Sequence, residues 1–209
     1  MTKEELIEKI IEREWDMFDK VQNEGGRADC QDDFRTFYVM RKSQFLTWDE
    51  AVLTSYLKDL ERAKEAGRNL LTEKYAWMMR STAPETFEKL AGFLPEIGRD
   101  RFQRQEKLIM LQVIWTEMIG ARYPLTAGRE RPVHTSEDTP YRTSFETYLR
   151  GEMSTWSDET FELYERCLYE AAAAGRNTAM ETLENTAKLY GYESAQALEE
   201  RLRKLNEEK

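Results

Sequence analysis

TWDEAVLTSYLKDLERAKEAGRN (residues 47–69) and TWSDETFELYERCLYEAAAAGRN (residues 155–177) are the same passage written twice. At a constant offset of 108 residues they share Thr, Trp, Tyr, Leu, two Ala and the closing Gly-Arg-Asn. Agreement of that length at one period marks an internal duplication. The offset continues through Glu73 with Glu181, Glu85 with Glu193 and Leu90 with Leu198. Upstream, EWDMFDKVQNEGGR is echoed by IWTEMIGARYPLTAGR, which pairs Trp15 with Trp115 and so sets Glu14 against Ile114.

Each copy parses into helices. Residues 3–22 place Ile7, Ile10, Ile11, Met17, Phe18 and Val21 at helical spacing, which makes an apolar stripe. A second helix is expected over 33–45. Thr47 and Glu50 have the spacing of a capping box for a third, and Gly67 suits its left-handed end. Asn69 is placed to cap a fourth helix, and Pro84 to open a fifth. The second copy repeats this over 100–120, 141–152, 156–174, 177–190 and 193–206. No run of alternating β-branched residues competes. The expectation is an all-α protein of about ten helices, two pseudo-symmetric five-helix units packed as one globular domain. The units are residues 1–95 and residues 96–209, the second with the longer loop at 123–140.

Composition narrows the function. Charged residues make up 34% of the chain and the formal net charge is -9, which argues against nucleic acid as a partner. The start, MTKEELIEKIIEREW, lacks the apolar core of a signal peptide, and no 18-residue apolar run follows, so a cytoplasmic protein without membrane contact is expected. Cys30 and Cys167 are too few for a disulfide framework and read as reduced thiols. One histidine, His134, leaves little for zinc or iron, and only an all-oxygen metal site using Glu14, Glu24 and Asp32 is worth weighing. His134 also stands five positions after Arg129, a spacing found in some helical ribonucleases, but Pro132 breaks the helix that it needs.

The two copies share a scaffold, so residues kept in both read as structural, and polar residues found in one copy alone point to a site. Glu14 interrupts the apolar stripe of the first helix where its partner is Ile114. Arg41 sits between Tyr38 and Phe45 where its partner is Leu149. A buried carboxylate needs a cation, a ligand or a proton. Between these helices lies NEGGRADCQDD (23–33). There Asn23 and Glu24 precede Gly25 and Gly26, whose freedom suits turns with positive φ and bare N–H groups for an anion, and Arg27 adds a forked donor. Gln31 and Asp32 follow, and Asp32 or Asp33 is placed to cap the next helix. Cys30, close to that helix start, is a candidate nucleophile. Gln44, Lys74 and Tyr75 complete the set: Gln44 pairs with Glu152, and Lys74 and Tyr75 with Thr182 and Leu183.

With these residues in hand, EWDMFDKVQNEGGRADCQDDFRTFYVMRKSQFLTW followed by GRNLLTEKYAWMMRSTAPE resembles the signature of domain of unknown function family 4125. The resemblance covers most of the chain, and its specific part lies in the first 85 residues. It implies a small bacterial helical protein without an assigned reaction, in a family some of whose members are joined to a nucleotidyltransferase-like domain. It names no cofactor and transfers no catalytic residue.

Two readings follow. In one, the first copy holds a pocket for an anionic or zwitterionic small molecule: Arg27 and Arg41 hold its negative groups, Glu14 is counter-ion or general base, and Gln31 and Gln44 supply hydrogen bonds. In the other, the protein is a non-catalytic helical module that docks to a partner enzyme or to itself, with Glu14 and Arg41 as an internal strut.

Overall fold

The computed structural model describes residues 1–22 and 26–208. Among them are eleven α-helices and no strand, so the all-α expectation holds. The helices are α1 (Lys3–Asp19), α2 (Phe34–Phe45), α3 (Glu50–Glu65), α4 (Leu70–Thr82), α5 (Pro84–Leu90), α6 (Arg99–Arg122), α7 (Pro124–Ala127), α8 (Phe145–Met153), α9 (Asp158–Ala173), α10 (Thr178–Leu189) and α11 (Ala195–Glu207). The one beyond the ten expected is α7, a single turn inside the longer second loop. Glu199 of α11 holds it by accepting the Leu125 and Thr126 N–H groups at 2.9 and 2.8 Å.

Local chemistry sets most of the ends. Asn69 accepts from the Leu71 and Thr72 N–H groups at the start of α4, and Pro84 opens α5. Gly67 and Gly175 both have positive φ, 68° and 69°, and the next N–H reaches back to Ala63 and Ala171 at 2.8 and 2.9 Å. That geometry closes α3 and α9 in the same manner. Thr47 does not cap α3, contrary to the spacing argument. Its hydroxyl donates to the Gln44 carbonyl at 2.7 Å and closes α2 instead, while Asp49 accepts from the Val52 N–H at 2.8 Å. Thr155 and Ser157 divide the same two tasks before α9.

α3 and α9 pack together at the centre, where Ser55 and Thr160 share a hydrogen bond of 2.7 Å. Around that contact four rings meet. Trp48 lies 5.7 Å from Tyr56 and 5.0 Å from Tyr164, and Trp156 lies 6.1 Å from Tyr56 and 4.9 Å from Tyr164. The two tryptophans are 5.4 Å apart, edge to face. Further out the helices cross between the halves of the chain: α4 lies on α8, and α10 lies on α2. Gly151 makes the α4–α8 approach close, since a Cβ there would stand 2.8 Å from Met78 Cγ and 2.9 Å from the Lys74 carbonyl. This approach brings Lys74 beside Glu152.

Candidate functional site

Glu14 projects from the buried face of α1 and is fully enclosed; Arg41, on α2, is 5% exposed. Arg41 grips Glu14 with two bonds, Nε to Oε2 at 2.7 Å and Nη2 to Oε1 at 2.6 Å. The Tyr56 hydroxyl donates to the same Oε1 at 2.7 Å. Arg41 Nη2 also reaches Glu152 Oε1 at 2.7 Å, and Nη1 reaches Gln44 Oε1 at 2.7 Å. Lys74 Nζ completes the group, 3.2 Å from Glu152 Oε2. Two carboxylates and two cations therefore alternate in a buried chain with no net charge.

The electrostatics follow from that alternation. Burial alone lowers the pKa of the Arg41 guanidinium, but Glu14 and Glu152 outweigh it and hold the pKa well above the ordinary value. Burial raises the Glu152 carboxyl, while Arg41 and Lys74 more than reverse this and bring it to about 2. Burial and the neighbouring Glu14 carboxylate push the Tyr56 hydroxyl up. A quartet satisfied in this way avoids the several kcal/mol that an unpaired buried charge costs.

Outward from the quartet two cations share one aromatic ring. Lys74 Nζ stands 3.5 Å from the centre of the Tyr148 ring, and the Arg131 guanidinium stands 4.6 Å from the same centre. Lys74 is 3% exposed, yet among the described residues its ammonium has a single acceptor, Glu152. Among the described residues Arg131 has no carboxylate within ion-pair distance, its one acceptor being the Thr143 carbonyl at 3.4 Å. Neither the Tyr75 nor the Tyr148 hydroxyl has a hydrogen-bond partner there. Burial raises the Tyr75 pKa, with Tyr148 and Cys30 adding to the effect and Arg131 and Arg41 opposing it. Tyr75 thus feels the same Arg131 that stands over Tyr148 beside Lys74.

The loop behaves differently from the sequence expectation. Asn23, Glu24 and Gly25 lie outside the described residues. Gly26 has φ 88°. Arg27 is committed to closing the loop: it bonds Asp19 Oδ1 at 2.6 Å, Asp32 Oδ1 at 2.9 Å and two backbone carbonyls. Gln31 is buried and donates to the Phe18 and Val21 carbonyls at 2.9 and 3.0 Å, finishing α1, while its Oε1 accepts from the Ala28 N–H. Asp33, not Asp32, caps α2 through the Thr36 N–H at 2.9 Å. Cys30 is exposed. Of the predicted residues, the structure joins Glu14, Arg41 and Gln44 by direct bonds and links Lys74 to them through Glu152; it leaves Cys30 exposed and turns Arg27 and Gln31 to the loop's own support. Among the described residues no group of three or more His, Cys, Asp or Glu side chains could hold a metal ion.

Three residues of this neighbourhood come from the second half and were missed: Glu152, Tyr148 and Arg131. Glu152 had a signal, because it lies between Leu149 and Met153 on the buried face of α8, the same anomaly that singled out Glu14. Ile114 proves to be 49% exposed and is no spatial counterpart of Glu14. On α6 the residue that receives a tyrosine hydroxyl is Gln112, from Tyr164 at 3.1 Å.

Residues 4–200 match the family model described as protein of unknown function, DUF4125. The chain belongs to the DUF4125 family. No curated protein and no solved structure matches it. In this DUF4125 protein, then, the quartet and its margin are assigned on geometry alone. No helix among the described residues is long and apolar enough to cross a membrane.

Proposed function

We propose that this DUF4125 protein binds a small anionic molecule at the margin formed by Lys74, Tyr75, Tyr148 and Arg131, above the Glu14–Arg41–Glu152 strut. The observation that carries this reading is the pair of cations over one ring. Lys74 and Arg131 share Tyr148; among the described residues one carboxylate stands within ion-pair distance of either of them, and two phenol hydroxyls beside them have no hydrogen-bond partner. Within the group Arg41, Lys74 and Arg131 face Glu14 and Glu152, and the neighbouring Glu130 carboxylate also feels the charge of Arg131 without reaching ion-pair distance. A carboxylate or phosphate group supplies the missing acceptor to Lys74, a fork partner to Arg131 and an acceptor for the hydroxyls. Glu14 is the strut's anion in this reading, not a general base, since protein donors occupy both of its oxygens.

A thermal-shift panel of carboxylate and phosphate metabolites tests it, because a ligand that prefers the folded state raises Tm whatever the chemistry. At least one anion should stabilise the wild type, and Arg131→Ala and Tyr148→Phe should lose that effect while keeping their helical circular dichroism. A panel in which no stabilisation depends on either residue refutes the site. It leaves the non-catalytic docking module, the reading favoured by the complete internal pairing of Glu14 and Glu152.

The doubled scaffold belongs to the same proposal. Support comes from the reciprocal Trp48–Tyr164 and Trp156–Tyr56 contacts and from the matching pairings of α4 with α8 and α10 with α2. The twin Arg68–Glu73 and Arg176–Glu181 ion pairs, each 2.7 Å, add to it. A cytoplasmic place is proposed on the two free cysteines.

A further inference from the structure

α6 packs against α7, α8, α9 and α10, yet one row of its apolar side chains stays outside. Met110 is 65% exposed, Ile114 49% and Met118 55%. Residues four apart on a helix share a face, about 6 Å from one to the next. Large apolar side chains exposed singly are ordinary, but a contiguous row of three along a 24-residue helix is the kind of surface that another surface covers.

The charges on that face are ordered. Lys107 stands three residues before Met110, and Glu117 three residues after Ile114, so the sequence Lys, Met, Ile, Glu is spaced evenly about residue 112. With ~3.6 residues per turn, Met110 and Ile114 straddle the middle of the face while Lys107 and Glu117 take its two flanks. Both charged residues are exposed. Among the described residues Lys107 has no carboxylate within ion-pair distance. Glu117 meets His134 Nε2 through Oε1 at 3.0 Å, and its Oε2 has no hydrogen-bond partner among them. Gln103 and Ala121, also equidistant from residue 112, end the face without charge.

A face of this kind complements a copy of itself running the other way. We infer that α6 is the seam of a twofold homodimer, in which two copies of the helix lie antiparallel about an axis beside residue 112. Met110 of each copy then meets Ile114 of the other, and Lys107 of each reaches across to Glu117 of the other, so that every contact occurs twice. A parallel pair would set Lys107 against Lys107 and Glu117 against Glu117, and this repulsion selects the antiparallel arrangement. The seam from Gln103 to Ala121 is ~27 Å long, and one such helix-on-helix contact falls short of the ~800 Å² that each partner buries in a standard interface. The dimer therefore forms and parts with concentration. It does not rest on the anion site proposed above, none of whose residues lies on α6.

Sedimentation velocity in ~150 mM salt, which screens the long-range repulsion between two chains of net charge -9, reads the association. Wild-type protein should pass from monomer toward dimer between roughly 10 μM and 1 mM, the range of a weak interface, and Ile114→Arg should stay monomeric with the circular dichroism of wild type. Two charge reversals decide the geometry. Lys107→Glu puts two negative charges on the face and Glu117→Lys two positive ones, so each alone should associate at least ~tenfold more weakly than wild type. Mixed in equal amounts they restore both opposite-charge pairs, and the mixture should regain the dimer. The inference is overturned if wild type is monomeric throughout, which leaves the row to a different partner, or if Ile114→Arg associates as wild type does. It is equally overturned if the mixture associates no better than either variant alone, because the two copies then do not meet antiparallel along α6.

Discussion

Lowering the pH from 7 to 3 probes the buried quartet through Glu152. Its carboxyl pKa falls from 4.5 to about 2 in the fold, because Arg41 and Lys74 together overcome the burial that would raise it. The unfolded chain therefore takes up the proton first. The stabilisation is fully present above the unfolded value and is lost as pH falls toward the folded one. At ~1.36 kcal/mol per pKa unit, it amounts to about 3 kcal/mol at neutral pH, of which about 2 kcal/mol is gone by pH 3. Urea denaturation of wild type and Glu152→Gln at pH 7, 5 and 3 reads it directly, since glutamine keeps the shape and cannot ionise. The stability gap between the two proteins should be flat from pH 7 to 5 and narrow by about 2 kcal/mol at pH 3. A gap that stays constant down to pH 3 refutes the claim that Arg41 and Lys74 hold this carboxylate charged.

Arg41→Leu, which installs the residue found at position 149, strands Glu14 and Glu152 without their shared cation. It should cost about 3–5 kcal/mol, seen as a fall in Tm of roughly 6–20 °C, and an unchanged Tm would show that the strut carries no stability. Gly151→Ala forces a methyl group to within 2.8 Å of Met78 Cγ and 2.9 Å of the Lys74 carbonyl. It should lower the unfolding free energy by about 1–3 kcal/mol in urea, and a neutral result would mean that α4 and α8 separate freely.

The helices and several of their ends were legible because short-range chemistry sets them. Asn69, Pro84 and Gly67 act within one turn of their own positions, and a sequence displays such neighbours side by side. Thr47 misled for the same local reason, since two oxygen-bearing residues stood within reach of one helix start and the α2 carbonyl claimed the nearer hydroxyl. The Glu14–Arg41 pair could be read from charges that interrupt apolar stripes. Its third and fourth members could not be paired with it, because Glu152 is 111 residues from Arg41 and 78 from Lys74, and only packing of α4 on α8 joins them. The match of Glu14 with Ile114 failed through register. Trp15 and Trp115 aligned the letters, but burial shows Gln112 turned inward and Ile114 outward, two positions apart on a helix.

The crossing of helices between the two halves bears on how the chain is made. The cover for α2 is α10, and the Ser43 carbonyl waits for the Asn185 side chain 142 residues later. At ~5–20 residues per second, a ribosome needs roughly 7–30 s to deliver it. For that interval α2 has left the ribosome without the helix that packs on it. A nascent chain stalled near residue 95 therefore holds α2 and α4 without α10 and α8, the helices that pack on them, and those faces are closed only once residues 145–189 have emerged.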